Sequence, residues 1–391
     1  MLSMLAPAPH RHADARPDCR LCGAPLQRSL LDLGTVPMTH RSLAPEEPDA
    51  LHTLDVRLCD HCGLAQTRVI PGEAATDHAF AEPVARPGRY ADMLRSRFHP
   101  GANSLAIDIG GAENPLLPPL QAAGIKVHRI DAAAFNTATA MQIAVQHGCA
   151  DIVLAHGVLP HAADMFECAA ALACVLRPNG VISLQFPHLL SLIERLRFDA
   201  FHPGIRTWLS LPVTERLLRS VGLRVFDAER IPDDGGCLRL HVCHAHSPRP
   251  ARPGLKAVRL AEAKQPALAA NFAARAALAR DDIRAFLRDR RDAGRRVGAY
   301  GATARSAMLL NACGITREET RYVAEPDTMQ HGRLMPGSRI PIVSPDIVAA
   351  NPPDDLVILP WPHAADIAER LPAWRQSGAQ LWTLLPRIAR V

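Results

Sequence analysis

A chain of 391 residues has material for two or three domains, and a composition of 48% hydrophobic and 21% charged residues is that of a globular protein. The 44 Lys and Arg against 39 Asp and Glu leave a net charge of +5 spread along the chain, and aromatics make up 4%, which argues against a nucleic-acid surface of either the electrostatic or the base-stacking kind. No apolar run reaches the roughly 18 residues of a membrane span. The first residues carry His, Arg and Pro without the apolar stretch of a signal peptide, and most of the ten cysteines stand alone, which together predict a cytoplasmic protein.

Residues 1–18 read as a flexible tail, and residues 19–72 as a small metal-binding module. Cys19-Arg-Leu-Cys22 and Cys59-Asp-His-Cys62 are two Cys-x-x-Cys pairs. Thiolates at i and i+3 on a tight turn converge on one ion, and two such turns complete a tetrahedral Zn²⁺ shell. Gly23 and Gly63 follow the pairs, where a knuckle needs a positive-φ corner. Four Cys fill the site, so it is expected to be structural, with no position for a catalytic water. Between the pairs, Leu31–Pro37 reads as a short strand and turn.

Residues 73–246 carry the alternation of a doubly wound α/β domain. Arg89–Phe98 reads as a helix. Ser104–Gly111 is a buried strand ending in glycines, Leu116–Ala123 a helix, and Lys126–Asp131 a second strand ending in an acid. Asp151–Ala155 and Val181–Phe186 are further strands, separated by the helix Asp164–Leu176, which Arg177-Pro-Asn-Gly180 stops. A proline-punctuated linker follows over 247–257, then a helix over 258–293. The rest of 258–391 repeats the α/β pattern, with strands at Arg296–Gly301, Tyr322–Ala324 and Leu356–Pro360 and a helix at Thr303–Ala312. The fold class is thus α/β, a zinc knuckle followed by two Rossmann-like units.

Ligands of such sheets sit beyond the carboxyl ends of the strands where the strand order reverses. Asp108, Gly110, Gly111 and Glu113 lie at one such strand end, and Ala155 at another. Asp131, 21 residues after Gly110, can accept both hydroxyls of a ribose or simply cap a helix. The full G-x-G-x-x-G of nicotinamide enzymes is missing, which favours S-adenosylmethionine as the nucleoside.

Taken in order, these parts resemble the bacterial sugar C-methyltransferase family. The motifs that carry the resemblance are Cys19–Gly23, Leu31-Asp-Leu-Gly34 and Cys59–Leu64 at the front. At the rear they are Tyr300-Gly-Ala-Thr-Ala-Arg305, Leu309-Leu-Asn311, Pro336-Gly337, Ile340-Pro-Ile342 and Leu359-Pro-Trp361. The resemblance implies zinc, S-adenosylmethionine and a cleft for a small-molecule substrate between the second and third domains. It also implies that Tyr300, Arg305 and Arg333 help hold the substrate, Tyr300-Gly-Ala302 forming a phosphate-approach loop at a helix start. A tight turn kept for packing is the plainer reading of that loop.

One segment departs from the family. Its members carry a Tyr-x-Glu-His run whose His is the general base. Here Phe198-Asp-Ala-Phe-His-Pro-Gly-Ile205 puts His202, Gly204 and Ile205 at the Tyr, Glu and His positions. Upstream, Ala79–Gly88 replaces a longer tyrosine-rich lid. Carbon methylation beside a carbonyl needs a base in reach, and isoleucine is none. Three readings follow: an acceptor that is already a strong nucleophile, a substitute base among His202, His188 and His161, or a site that binds S-adenosylmethionine without methyl transfer. His188, after Pro187, is expected to face the cleft. Asp233-Asp-Gly-Gly236 reads as a turn near it.

Overall fold

The computed structural model describes residues 18–39, 41–68, 87–101, 103–110, 114–371, 374 and 378–391. Gly111, Glu113, the segment 79–86 and the tail 1–17 lie outside the described residues.

The first sheet begins as an antiparallel hairpin. Arg28–Pro37 (β1) pairs with Leu51–Leu58 (β2), and Ala65–Thr67 (β3) adds to β2. Its fourth strand, Thr207–Trp208 (β8), lies two residues after Ile205 and pairs with β3 through Ala65↔Trp208. Arg20, between the first two cysteines, reinforces that seam by donating to the carbonyls of Arg206 and Thr67, each at 2.8 Å. On the other side, residues 42–49 lie along the third unit. Leu43 and Leu334 exchange backbone hydrogen bonds, and Arg339 donates to the Glu47 carbonyl at 2.7 Å. The metal-binding module therefore straps both larger units.

The second sheet runs β5-β4-β6-β7-β10-β9. Leu105–Ile109 (β4), Lys126–Ile130 (β5), Ala150–His156 (β6) and Leu176–Pro187 (β7) are parallel, and Cys237–His244 (β10) runs antiparallel to both β7 and Leu223–Ile231 (β9). The chain leaves β4 for β5 on one side and returns to β6 on the other, which puts the switch-point crevice at Gly110 and Gly157. Helix Pro87–Phe98 (α1) covers one face of the sheet and seals a polar layer beneath it. The Tyr90 hydroxyl is hydrogen-bonded to Ser183 and to His156 Nε2 (3.2 Å), and the Arg239 guanidinium lies 3.7 Å over the Tyr90 ring. Arg239 also donates to Gln185 Oε1 at 2.9 and 3.1 Å. His241 is fully buried against Phe98, at 5.0 Å between ring centres.

The third sheet, β13-β12-β11-β14-β15-β16, is parallel except at its edge, where β16 runs antiparallel to β15. Val297–Tyr300 (β11) lies between Val323–Ala324 (β12) and Asp355–Ile358 (β14), and the helix Ala304–Ala312 follows β11 with Thr303 as its N-cap. Ile342–Val343 (β13), Gln380–Thr383 (β15) and Ala389–Arg390 (β16) complete it.

The span expected as one helix over 258–293 is three: Pro253–Glu262, Gln265–Ala270 and Phe272–Asp292. The cause is in the sequence. Pro253 starts a helix inside the expected linker and Pro266 starts the next, because proline fits a first turn and breaks an interior. One apolar core joins β1 and β2 to Phe198, Phe201, Trp208 and the third unit, so the seam between the parts is itself well packed. Among the described residues, no helix is long and apolar enough to cross a membrane.

Candidate functional site

The four knuckle sulfurs all lie within 4.8 Å of one another, with Cys19–Cys62 at 3.5 Å and Cys22–Cys59 at 3.6 Å. A disulfide would bring sulfurs to about 2.05 Å. Sulfurs around one tetrahedral zinc, each about 2.3 Å from it, stand close to these separations. Each turn is built alike: Gly23 N–H donates to the Cys19 carbonyl and Gly63 N–H to the Cys59 carbonyl, both at 2.8 Å, with φ of 71° and 77°. The Cys19 thiol is drawn down, first by its hydrogen bond with Cys62, whose own thiol is pushed up by the same contact. The residues fit zinc, and the chain's first module is a zinc-binding one.

At the switch point the expected residues divide. Among the described residues nothing lies within 4 Å of where a side chain at Gly110 would begin. Asp131 is exposed at the end of β5, where its Oδ1 accepts from Ala133 N–H at 2.9 Å and so caps the turn; among the described residues no partner is seen for its other oxygen. These two fit the nucleoside of S-adenosylmethionine. Asp108 and Ala155 instead serve the frame. Asp108 is 2% exposed, its carboxyl accepts from Asn114 at 2.6 Å with Arg129 at 3.5 Å, and burial pushes its pKa up. Ala155 is equally buried within β6, and the residue that reaches the cleft from that strand is Gly157.

A cleft of about 700 Å³ opens where all three parts meet. Thr39, Arg41 and Ser42 form its wall from the zinc module, and Gly157, His161, His202 and Ile205 its wall from the second unit. The third unit supplies Arg305, Glu325, Arg333 and His363. His161 is fixed by donating from Nδ1 to the Gly204 carbonyl at 2.7 Å. His202, 3% exposed, is held well below its usual pKa, first by burial and then by His161 and Arg305, so it is neutral. Ile205 stands in the same wall, 4% exposed.

Three expectations need correction. His188 does not face the cleft. It is fully buried, donating from Nε2 to Glu262 at 2.7 Å, and that carboxylate also accepts from Leu211 N–H at 2.9 Å. Tyr300 is not among the lining residues, since its ring packs edge-on to Trp374 at 6.1 Å. The phosphate-approach loop is already served: Ala302 N–H donates to Glu325 at 2.7 Å, and Thr303 caps Ser306 N–H. The chain's own carboxylate meets the electropositive helix start. Arg305 and Arg333 do line the cleft, Arg305 paired with Asp234 and Arg333 donating to the Ser42 carbonyl at 2.9 Å.

Asp199, Asp234 and His363 lie on turns and were not singled out as site residues. Asp199 lies 3.6 Å from Arg197 and accepts from Trp361 Nε1 at 3.4 Å, which ties the second unit to the third. Asp234 sits on the anticipated turn, and its carbonyl accepts from Arg197.

A model of a C-methyltransferase C-terminal domain matches residues 232–386, and a zinc-binding domain model matches residues 19–73. The chain is 26% identical to the C-methyltransferase NovU of Streptomyces niveus over 401 residues, covering 94% of this chain and 95% of that protein. Among solved structures it is similar to 1,6-didemethyltoxoflavin-N1-methyltransferase of Burkholderia thailandensis, with 16% identity over 44% of this chain and 81% of that one, at a TM-score of 0.28. Another is the CcbJ methyltransferase of Streptomyces caelestis, with 11% identity over 42% and 91%, at a TM-score of 0.31.

Proposed function

We propose that the chain, which matches a zinc-binding domain at its front and a C-methyltransferase C-terminal domain at its rear, methylates a small-molecule acceptor by a route without the Tyr-x-Glu-His base of the sugar C-methyltransferases it resembles. The setting is secondary-metabolite biosynthesis in the cytoplasm. The observation that carries this reading is Ile205, an apolar side chain in the cleft wall where the family places its base. S-adenosylmethionine, when bound, supplies an electrophilic methyl group. Gly110 and Asp131 would hold its nucleoside, and the cleft beyond Gly157 would hold the acceptor. His202, buried and neutral, can orient an acceptor hydroxyl or carbonyl by hydrogen bonding without adding charge.

Calorimetry on the full chain tests the first half of this reading. S-adenosylmethionine and its demethylated product are both expected to bind, and Asp131→Ala to weaken both by about tenfold or more, the loss of one or two charge-assisted hydrogen bonds. Binding of neither would overturn it. Turnover of a 3-keto-deoxysugar nucleotide at ordinary enzyme rates would overturn the claim that the family's route has been left.

A further inference from the structure

We propose that His363, held by Asp234, is the proton acceptor of this cleft, and that the acceptor molecule bears a weakly acidic C–H or O–H. This rests on the methyl-transfer reading above. His363 reaches the cleft from Leu359-Pro-Trp-Pro-His363, a single tight turn over Trp361–His363 stiffened by two prolines. Its side chain is 42% exposed, so both solvent and a ligand can reach it. Asp234 Oδ1 stands 3.6 Å from His363 Nε2, close enough for the carboxylate to stabilise the imidazolium that forms when the ring takes up a proton.

Asp234 is itself over-determined. Its φ is 47°, a left-handed conformation that non-glycine residues adopt at a cost. Arg197 holds its carbonyl and Arg305 its carboxylate. A side chain at the following Gly235 would meet Arg197 at 2.5 Å, so the turn has little room to change. The charged groups around His363 are Asp234, Asp366 and Arg305, and the first of these dominates, raising the imidazole above its usual 6.5. A base poised near neutrality is the effective kind. The other two cleft histidines are worse placed, His202 by burial and His161 by its bond to Gly204.

In the step this implies, the imidazole takes the acceptor's proton, and the electron pair left behind forms the bond to the methyl carbon. The methyl–sulfur pair departs with sulfur, which becomes a neutral thioether.

An acceptor-independent probe tests the base directly. 5-Nitrobenzisoxazole loses its ring C–H proton to a base, the N–O bond breaks, and a coloured nitrile phenolate forms. The full chain is expected to accelerate this opening with one rising titration above pH 6.5. His363→Gln should remove at least about tenfold of the acceleration while binding of S-adenosylhomocysteine stays as in the parent. Asp234→Asn should move the midpoint down, and histidine NMR on the same variants should show the His363 titration moving with it. Opening no faster than with free imidazole, or equal rates in His363→Gln, would overturn the proposal. Loss of homocysteine-nucleoside binding alone would instead count against the methyltransferase reading.

Discussion

The zinc module and the cleft wall over residues 198–208 touch each other, yet they are determined in different ways. The knuckles are specified locally: four cysteines, two glycines and the repeated backbone bond from each glycine to a cysteine carbonyl. The wall is specified from a distance. Its strand β8 has two residues, its partner strand is β3 of the zinc module, and its charged groups answer to residues of the third unit. Locally built parts tolerate change elsewhere, whereas the wall can be altered by substitution in any of three units.

The largest expected effect breaks the frame. Cys59→Ser, or a strong chelator, should remove one zinc per chain, and in small modules that binding free energy, on the order of 10 kcal/mol, is also folding free energy. Hydrogen exchange should then accelerate over residues 18–67 and also at Thr207–Trp208; protection retained at β8 would show that the wall stands without the module. Next is the wall itself. Arg197 is 1% exposed and faces Asp199, so Arg197→Met should leave a buried carboxylate uncompensated and cost about 3–5 kcal/mol by urea unfolding.

A third effect separates the sheet from both regions. Burial holds His156 and His241 at about 3. Their unfolded forms bind protons below about 6.5. The contribution of these two histidines should therefore be constant above that pH, and stability should fall as pH drops from 6.5 toward 3, by up to about 1.4 kcal/mol per pH unit for each of them. His241→Phe should flatten the slope of melting temperature against pH, and an unchanged slope would count against it. The smallest effect is Thr303→Ala, which removes the cap at the cleft's helix start and should cost about 1 kcal/mol in chemical denaturation.

The strand-and-helix order and the zinc ligands were legible in the sequence because they rest on short-range patterns, Cys-x-x-Cys and apolar runs closed by glycine. The helix starts at Pro253 and Pro266 were missed although both prolines stand in the sequence, because the even Ala, Leu and Arg pattern reads as one continuous helix. The cleft was only partly so. His188 is drawn inward by Glu262, far along the chain, and no local pattern announces that partnership. Asp234 and His363 meet across the seam of two units, each on a turn without periodicity. A polar residue on a turn beside Gly-Gly or between prolines is the faint signal that was available.

Arg20 sits inside the first zinc turn and grips the Arg206 carbonyl, one residue from Ile205. If the acceptor binds in the cleft as proposed, metal and acceptor share one mechanical element. By thermodynamic reciprocity, a ligand that fixes the 202–208 loop must tighten the chain's hold on zinc by the same factor that zinc tightens its hold on the ligand. The rate of zinc loss to a chelator then becomes an assay for acceptors, one that requires no chemical turnover.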